Sequence, residues 1–222
     1  MKKKLWIWVP FFIFLSTYSY HDKKSYNEGF FSIKEIEIKG INYVNLKDLK
    51  NTLKYIKNKN LIFLKTQDFS EASKKIDFVN SIKIKKLYPN KIIITVLEDA
   101  PIGIYFEDSG KKHILLENNK IIKNSNYEFD NLPEVQGKGA LQNYSNFYSN
   151  LKKTKLDLNL VKKFNYHNVN RWDLLLVNEK LIKLPPENYE ESVAKFLEIY
   201  EKSSFEKFKV FDFRVKNELI LR

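Results

Sequence analysis

The sequence predicts an α+β protein: an N-terminal transmembrane helix, then a β-α-α-β-β unit, then a C-terminal mixed β-sheet domain with flanking helices. Three observations carry this expectation. An uncharged apolar run follows a lysine cluster at the N-terminus, alternating β-branched runs recur along the chain, and apolar stripes spaced three and four residues apart lie between them. The composition agrees, because 17 Phe and 13 Tyr in 222 residues favour strands and a packed core over a disordered chain.

This length suffices for one or two ordinary domains without a metal or disulfide staple. The chain has no cysteine, which excludes disulfides, thiolate nucleophiles and Cys-bearing metal sites and leaves the redox compartment open. A formal charge of +12 raises the question of a polyanionic partner. Lysines are interspersed with Asp and Glu along most of the chain, and the aromatics fall at periodic positions suited to a core. Solvated faces account for that pattern, and no nucleic acid is expected as a partner.

The N-terminus sets the compartment. Met1-Lys2-Lys3-Lys4 precedes Leu5-Trp6-Ile7-Trp8-Val9-Pro10-Phe11-Phe12-Ile13-Phe14-Leu15, and no acidic or basic side chain appears from Leu5 to Tyr20. The run lies between a signal-peptide core of about 7–15 residues and a spanning helix of about 20. Thr17-Tyr18-Ser19 lacks the small-residue pattern of a cleavage site, so retention as an anchor is preferred to removal. By the positive-inside rule the lysines stay cytoplasmic and everything after Tyr20 is exported. The polar segment from His21 to Gly29 reads as a linker.

In the first exported unit, Ile36 and Ile38 alternate with Glu35, Glu37 and Lys39 up to Gly40, the pattern of a half-buried strand. Asn45 is a cap residue with Asp48 three positions on, and Leu46, Leu49, Leu53 and Ile56 form an apolar stripe of about three helical turns. Asp68-Phe69-Ser70-Glu71 caps a second, shorter helix with Phe69, Ala72 and Ile76 on one side. A strand through Ile82 and Ile84, a turn at Tyr88-Pro89-Asn90 and a β-branched strand from Lys91 to Leu97 complete the unit.

In the second unit, strands are expected at Ile102 to Phe106 and His113 to Leu116, with a tight turn at Glu117-Asn118-Asn119-Lys120 into Ile121-Ile122. Leu132-Pro133-Glu134-Val135 breaks the pattern. Leu141, Tyr144, Phe147 and Leu151 define a helix over Ala140 to Lys153. Strands resume at Trp172 to Val177, turn at Asn178-Glu179 and return through Leu181 to Leu184 before Pro185-Pro186. A capped helix starts at Asn188, with Val193, Phe196 and Tyr200 at helical spacing, and the final strands are Lys209 to Val215 and Glu218 to Arg222.

Catalytic chemistry has no motif here. His21, His113 and His167 lie far apart, and there is no Gly-x-Ser-x-Gly elbow, Ser-x-x-Lys pair or phosphate-binding glycine loop. Gly137-Lys138-Gly139 reads as a loop. Glu98-Asp99 and Glu107-Asp108 are carboxylate pairs of the kind glycan-cleaving enzymes use, but neighbours on a strand point to opposite faces, which favours strand-end solvation. No catalytic residue, metal ligand or cofactor is expected.

Several segments, in their order, carry a family likeness. Ile36-Glu37-Ile38-Lys39-Gly40, Asn60-Leu61-Ile62-Phe63, Val79-Asn80-Ser81-Ile82, Tyr88-Pro89-Asn90-Lys91-Ile92 and Glu98-Asp99-Ala100-Pro101-Ile102 resemble a POTRA domain of the FtsQ/DivIB type over about 70 residues. Arg171-Trp172-Asp173-Leu174, Leu184-Pro185, Phe211-Asp212-Phe213-Arg214 and Leu219-Ile220-Leu221-Arg222 resemble the β domain of the same family. Where that family commonly has Glu-Arg, this chain has Glu98-Asp99, which puts any role of that arginine in doubt. The resemblance divides the chain into a cytoplasmic tail (1–4), a transmembrane helix (5–20), a linker (21–30), a POTRA domain (31–99) and a β domain (100–222).

The resemblance implies a non-catalytic divisome scaffold of the inner membrane, single-pass, with its C-terminus in the periplasm, acting at the septum between early and late division proteins. It implies FtsB/FtsL-like bitopic partners, captured by strand addition at the C-terminal edge, and contacts between the POTRA domain and other membrane division proteins. Carried over by position, the partner edge is Val215, Lys216, Glu218, Leu219 and Ile220, flanked by Arg171, Trp172 and Arg214. Leu219 and Leu221 also fit an ordinary inward face. Whether Arg214 forms a structural ion pair with Asp212 or a partner contact is left open by the residues alone. The other readings are an exported envelope enzyme and an outer-membrane-protein assembly or chaperone factor with a POTRA domain.

Overall fold

The computed structural model describes residues 10, 12–14, 29–107, 109–200, 202–216 and 218–222. The expected membrane span at 5–20 and linker at 21–30 therefore fall largely outside the described residues, and among these no helix is long and apolar enough to cross a membrane. The chain separates into two compact units, Met1–Leu97 and Glu98–Arg222.

The first unit follows the expected order of strand, helix, helix, strand, strand. It comprises β1 (Glu35–Lys39), α1 (Leu46–Thr52), α2 (Ser70–Lys75), β2 (Val79–Leu87) and β3 (Lys91–Glu98). The sheet order is β1-β3-β2, with β1 parallel to β3 and Ile36 and Ile38 opposite Ile92 and Ile94. Ile92, Ile94 and Val96 alternate inward from the central strand and are buried, as period-two patterning requires. Leu49, Leu53, Ile56, Phe69 and Ala72 supply the helical side of the core. Gly40 (φ +76°) ends β1 where a Cβ would lie 2.5 Å from the Val96 carbonyl oxygen, so glycine is required there.

Two helix boundaries differ from expectation. The stripe from Leu46 to Ile56 is an α-helix only to Thr52, after which Lys54–Ile56 tighten into a 3-10 turn. Asn45 does cap it, accepting from the Lys47 N–H at 2.9 Å. Asp68 does not cap α2: it lies in a 3-10 turn, Thr66–Phe69, and its carboxylate accepts from the Lys65 N–H at 2.7 Å. The same capping chemistry operates one turn earlier.

The second unit holds a nine-stranded mixed sheet of order β12-β11-β10-β9-β8-β7-β4-β5-β6. Its strands are β4 (Pro101–Phe106), β5 (Lys112–Leu116), β6 (Ile121–Ile122), β7 (Glu134–Gln136), β8 (Val161–His167), β9 (Arg171–Leu176), β10 (Leu181–Lys183), β11 (Val210–Asp212) and β12 (Ile220–Leu221). The joints β4–β7, β7–β8 and β10–β11 are parallel and the others antiparallel. The helices are α3 (Ala140–Leu151) and α4 (Tyr189–Tyr200).

Tyr144, Phe147 and Leu151 of α3 and Val193 and Phe196 of α4 share one core with Phe164, Trp172, Leu174, Ile182 and Phe211 of the sheet. Phe147 stacks on Trp172 at 4.7 Å, and Phe196 meets Phe211 edge-on at 5.1 Å. Each such ring contributes about 2–3 kcal/mol by leaving water. The buried Tyr144 hydroxyl donates to the Ile102 carbonyl at 2.7 Å, tying α3 to β4.

Two strands were not expected. β7 lies where Leu132–Val135 reads as a break, and β8 occupies a stretch with no strand pattern, yet together they join the two halves of the sheet. The closing strands are also shorter than the sequence suggests, β11 ending at Asp212 and β12 covering Ile220–Leu221. Gly137 leaves β7 with φ +109°, where a Cβ would lie 2.2 Å from the Tyr166 carbonyl oxygen.

Candidate partner-binding edge

β12 is an outer strand of the large sheet. It runs antiparallel to β11, with Phe211 opposite Leu221 and Asp212 opposite Ile220. Val210 and Arg222 exchange both backbone hydrogen bonds, at 2.9 and 3.1 Å. Antiparallel pairing alternates, so the peptide groups of Ile220 face β11 while the N–H and C=O of Leu221 and Leu219 face outward. The fold thus leaves a short ladder of donors and acceptors on the edge.

Side chains alternate across the same strands. The register places Phe164, Leu174, Ile182, Phe211 and Leu221 in one row toward the core, and Asn165, Asp173, Lys183, Asp212 and Ile220 in the neighbouring row on the opposite face. Leu219 and Leu221 are partly buried against the core, and Leu219 also lines the cleft beside the edge. Val215, Lys216 and Glu218 are exposed, and Ile220 is partly buried. Trp172, expected to flank the edge, is buried at 3% exposure and packed on Phe147 and Tyr166: inward alternation on β9 puts its indole in the core.

Arg214 donates through Nε to Asp212 Oδ1 at 2.7 Å and through Nη2 to Oδ2 at 2.5 Å, while its backbone N–H reaches Oδ1 at 3.1 Å. This fork holds the buried Asp212 carboxyl below its ordinary pKa, against the opposing effect of burial. Arg171 is less engaged, its Nε lying 3.5 Å from Asp173 Oδ1 without a hydrogen bond. Asp173 Oδ2 lies 3.0 Å from His167 Nε2. Next to this edge, a cleft of about 510 Å³ opens between the start of α4 and the residues after β11, walled by Pro186, Glu191, Lys195, Phe213 and Val215.

The structure therefore brings Arg171, Arg214 and β12 to one end of the sheet. It adds His167, Asp173 and Lys183, which sequence reasoning did not select. The signal was present at Asp173, a charged residue between Trp172 and Leu174 in an otherwise apolar strand. No group of three His, Cys, Asp or Glu suited to a metal ion occurs among the described residues.

A model of the FtsQ-type POTRA domain matches residues 31–99, and a model of the C-terminal region of cell division protein FtsQ/DivIB matches residues 104–214. The chain belongs to the FtsQ/DivIB family of cell-division proteins. Cell division protein FtsQ of Rickettsia typhi is 25% identical over 195 residues, covering 86% of this chain and 73% of that protein. Its counterpart in Rickettsia conorii is 25% identical over 191 residues, with 85% and 71% covered. The FtsQ protein of Rhizobium meliloti is 24% identical over 169 residues, with 76% and 53% covered. Of the edge residues, Arg171, Trp172 and Arg214 lie within the FtsQ/DivIB C-terminal match, while Val215 to Ile220 follow it.

Proposed function

We propose that this FtsQ/DivIB family member is a non-catalytic divisome scaffold that links early and late division proteins. It captures an FtsB/FtsL-like bitopic partner by adding that partner's strand to β12. The observation that carries the reading is the outward-facing peptide groups of Leu219 and Leu221 on an outer strand, since main-chain pairing supplies affinity in strand addition. Arg171 and Arg214, flanked by Val215, Lys216 and Glu218, supply charge and contact for specificity.

The same reading places Lys2 to Lys4 in the cytoplasm, the apolar run 5–20 in the inner membrane, and the POTRA domain (31–99) and β domain (100–222) in the periplasm at the septum. The POTRA domain there meets other membrane division proteins. Deleting Val215 to Arg222 tests the capture step. We expect co-purification with the FtsB-like partner to be lost while membrane insertion is retained, and unchanged capture overturns the edge-strand reading.

A further inference from the structure

One end of the first unit's sheet gathers exposed aromatic residues that the unit's own core does not use. Phe30 is 76% exposed, Phe63 74% and Tyr88 60%, with Ile62 beside them at 43%. The fold holds them together. Phe31 sits edge-on to Phe30 at 5.2 Å and to Tyr88 at 6.0 Å. Its carbonyl accepts from the Leu61 N–H at 2.8 Å, and Lys86 Nζ donates to the Ile62 carbonyl at 2.8 Å. Because β1 and β3 run parallel with Glu35 opposite Lys91, both strands start at this end. Leaving such rings in water forgoes the stabilisation that their burial would bring, and adjacent exposed apolar groups mark an interaction surface.

The charge around these rings is positive. Lys34 is exposed, its backbone N–H donating to the Asn90 carbonyl at 2.9 Å in the turn that carries Tyr88, and Lys86 reaches across to Ile62. The nearby acid, Glu35, is already neutralised by Lys91 at 2.6 Å. This is also the end at which the chain enters the unit. Only the eight residues from His21 to Glu28 separate it from the apolar run ending at Tyr20, a reach of at most about 30 Å when extended. Aromatic rings with lysines around them match the headgroup region of a bilayer, where rings sit at the interface and ammonium groups meet anionic lipids.

We infer that this end of the POTRA domain docks on the surface of the membrane, with Phe30, Phe63 and Tyr88 in the headgroup layer and Lys34 and Lys86 against anionic lipid. The inference rests on the anchor reading above, and it adds a fixed orientation to the tether: the domain lies against the bilayer instead of standing free of it.

The chain has no native cysteine, so a single probe can be placed by substitution. The full chain carrying Phe63→Cys with an environment-sensitive fluorophore is reconstituted in vesicles of phosphatidylglycerol and phosphatidylcholine in equal parts, with spin-labelled lipid quenching at shallow depth. Lys39→Cys, exposed where β1 ends at the opposite end of the same unit's sheet, serves as the comparison site. We expect quenching severalfold stronger at position 63 than at 39, reduced by the double substitution Phe30→Ser and Tyr88→Ser in a chain with an unchanged circular dichroism spectrum. Vesicles that float with the protein but quench both positions equally overturn the docking alone. Failure of the protein to float with vesicles overturns the anchor reading and this one with it. A probe that leaves water only when another division protein is added assigns the patch to a protein partner and overturns lipid docking.

Discussion

Arg214 grips both oxygens of Asp212, two residues back along the chain, at the point where β11 ends and the chain turns toward β12. Asp212 is 2% exposed, so its charge depends on this partner, while the Arg214 side chain is 37% exposed. The pair fixes the turn that presents the edge strand. A structural ion pair and a partner contact are compatible, because the Arg214 side chain stays partly exposed while Nε and Nη2 hold Asp212.

Arg214→Met should cost about 2 kcal/mol of stability, below the value for a fully buried pair because one partner is exposed. The pH dependence has a definite sign. Asp212 has a folded pKa below its unfolded one, so the pair stabilises fully above the ordinary carboxylate range and fades as pH falls through the lowered value. Urea titrations of the parent chain and Asp212→Asn should differ by a constant amount from neutral pH down to about 5, then converge in stronger acid. A gap that widens on acidification contradicts the ion pair.

The alternation on β12 separates two proline substitutions that look equivalent in sequence. Proline at Leu221 removes an N–H that faces outward, and proline at Ile220 removes one that faces β11. Leu221→Pro should abolish partner capture and, with loss of part of a half-buried leucine, lower stability by only about 1 kcal/mol. Ile220→Pro should detach β12 itself, seen as faster amide exchange at Val210 and Asp212. Capture surviving Leu221→Pro would place the partner elsewhere.

The first unit was legible because its strands are β-branched and strictly alternating, as at Ile92, Ile94 and Val96, and because Asn45 is a strong cap. β8 was hidden by a bulge. Between Val161 and Lys163 the register with β9 shifts, so the inward residues Val161 and Phe164 are three apart, a spacing that breaks the period of two. β7 presents one inward side chain, Val135, and owes its place to parallel partners on both sides, a long-range condition that local pattern cannot carry. At the edge, the identity of the arginines was readable, but whether Trp172 faced solvent or core depended on β8, its neighbour strand, and on α3.

Trp172 in the core makes a prediction opposite to that of a surface anchor. Trp172→Ala should cost about 4 kcal/mol by opening a cavity against Phe147 and Tyr166, whereas Trp172→Phe should cost under about 2 kcal/mol. Partner affinity measured on the fraction still folded should be unchanged in the phenylalanine variant. A large affinity loss without loss of stability would return Trp172 to the surface of the complex.

Arg171 and Arg214 should then behave differently, although both flank the edge. Arg214 spends its donors on Asp212, while the Nε of Arg171 lies beside Asp173 without a hydrogen bond, and Asp173 retains His167 when Arg171 is removed. Arg171→Ala should therefore lower stability by about 1 kcal/mol or less and weaken partner capture by about tenfold or more, the worth of a charge-assisted hydrogen bond to an acidic partner residue. Arg214→Ala should show the larger stability loss. Affinity titrations paired with urea melts of each variant give both numbers, and equal stability losses with no change in affinity would mean that neither arginine reads the partner.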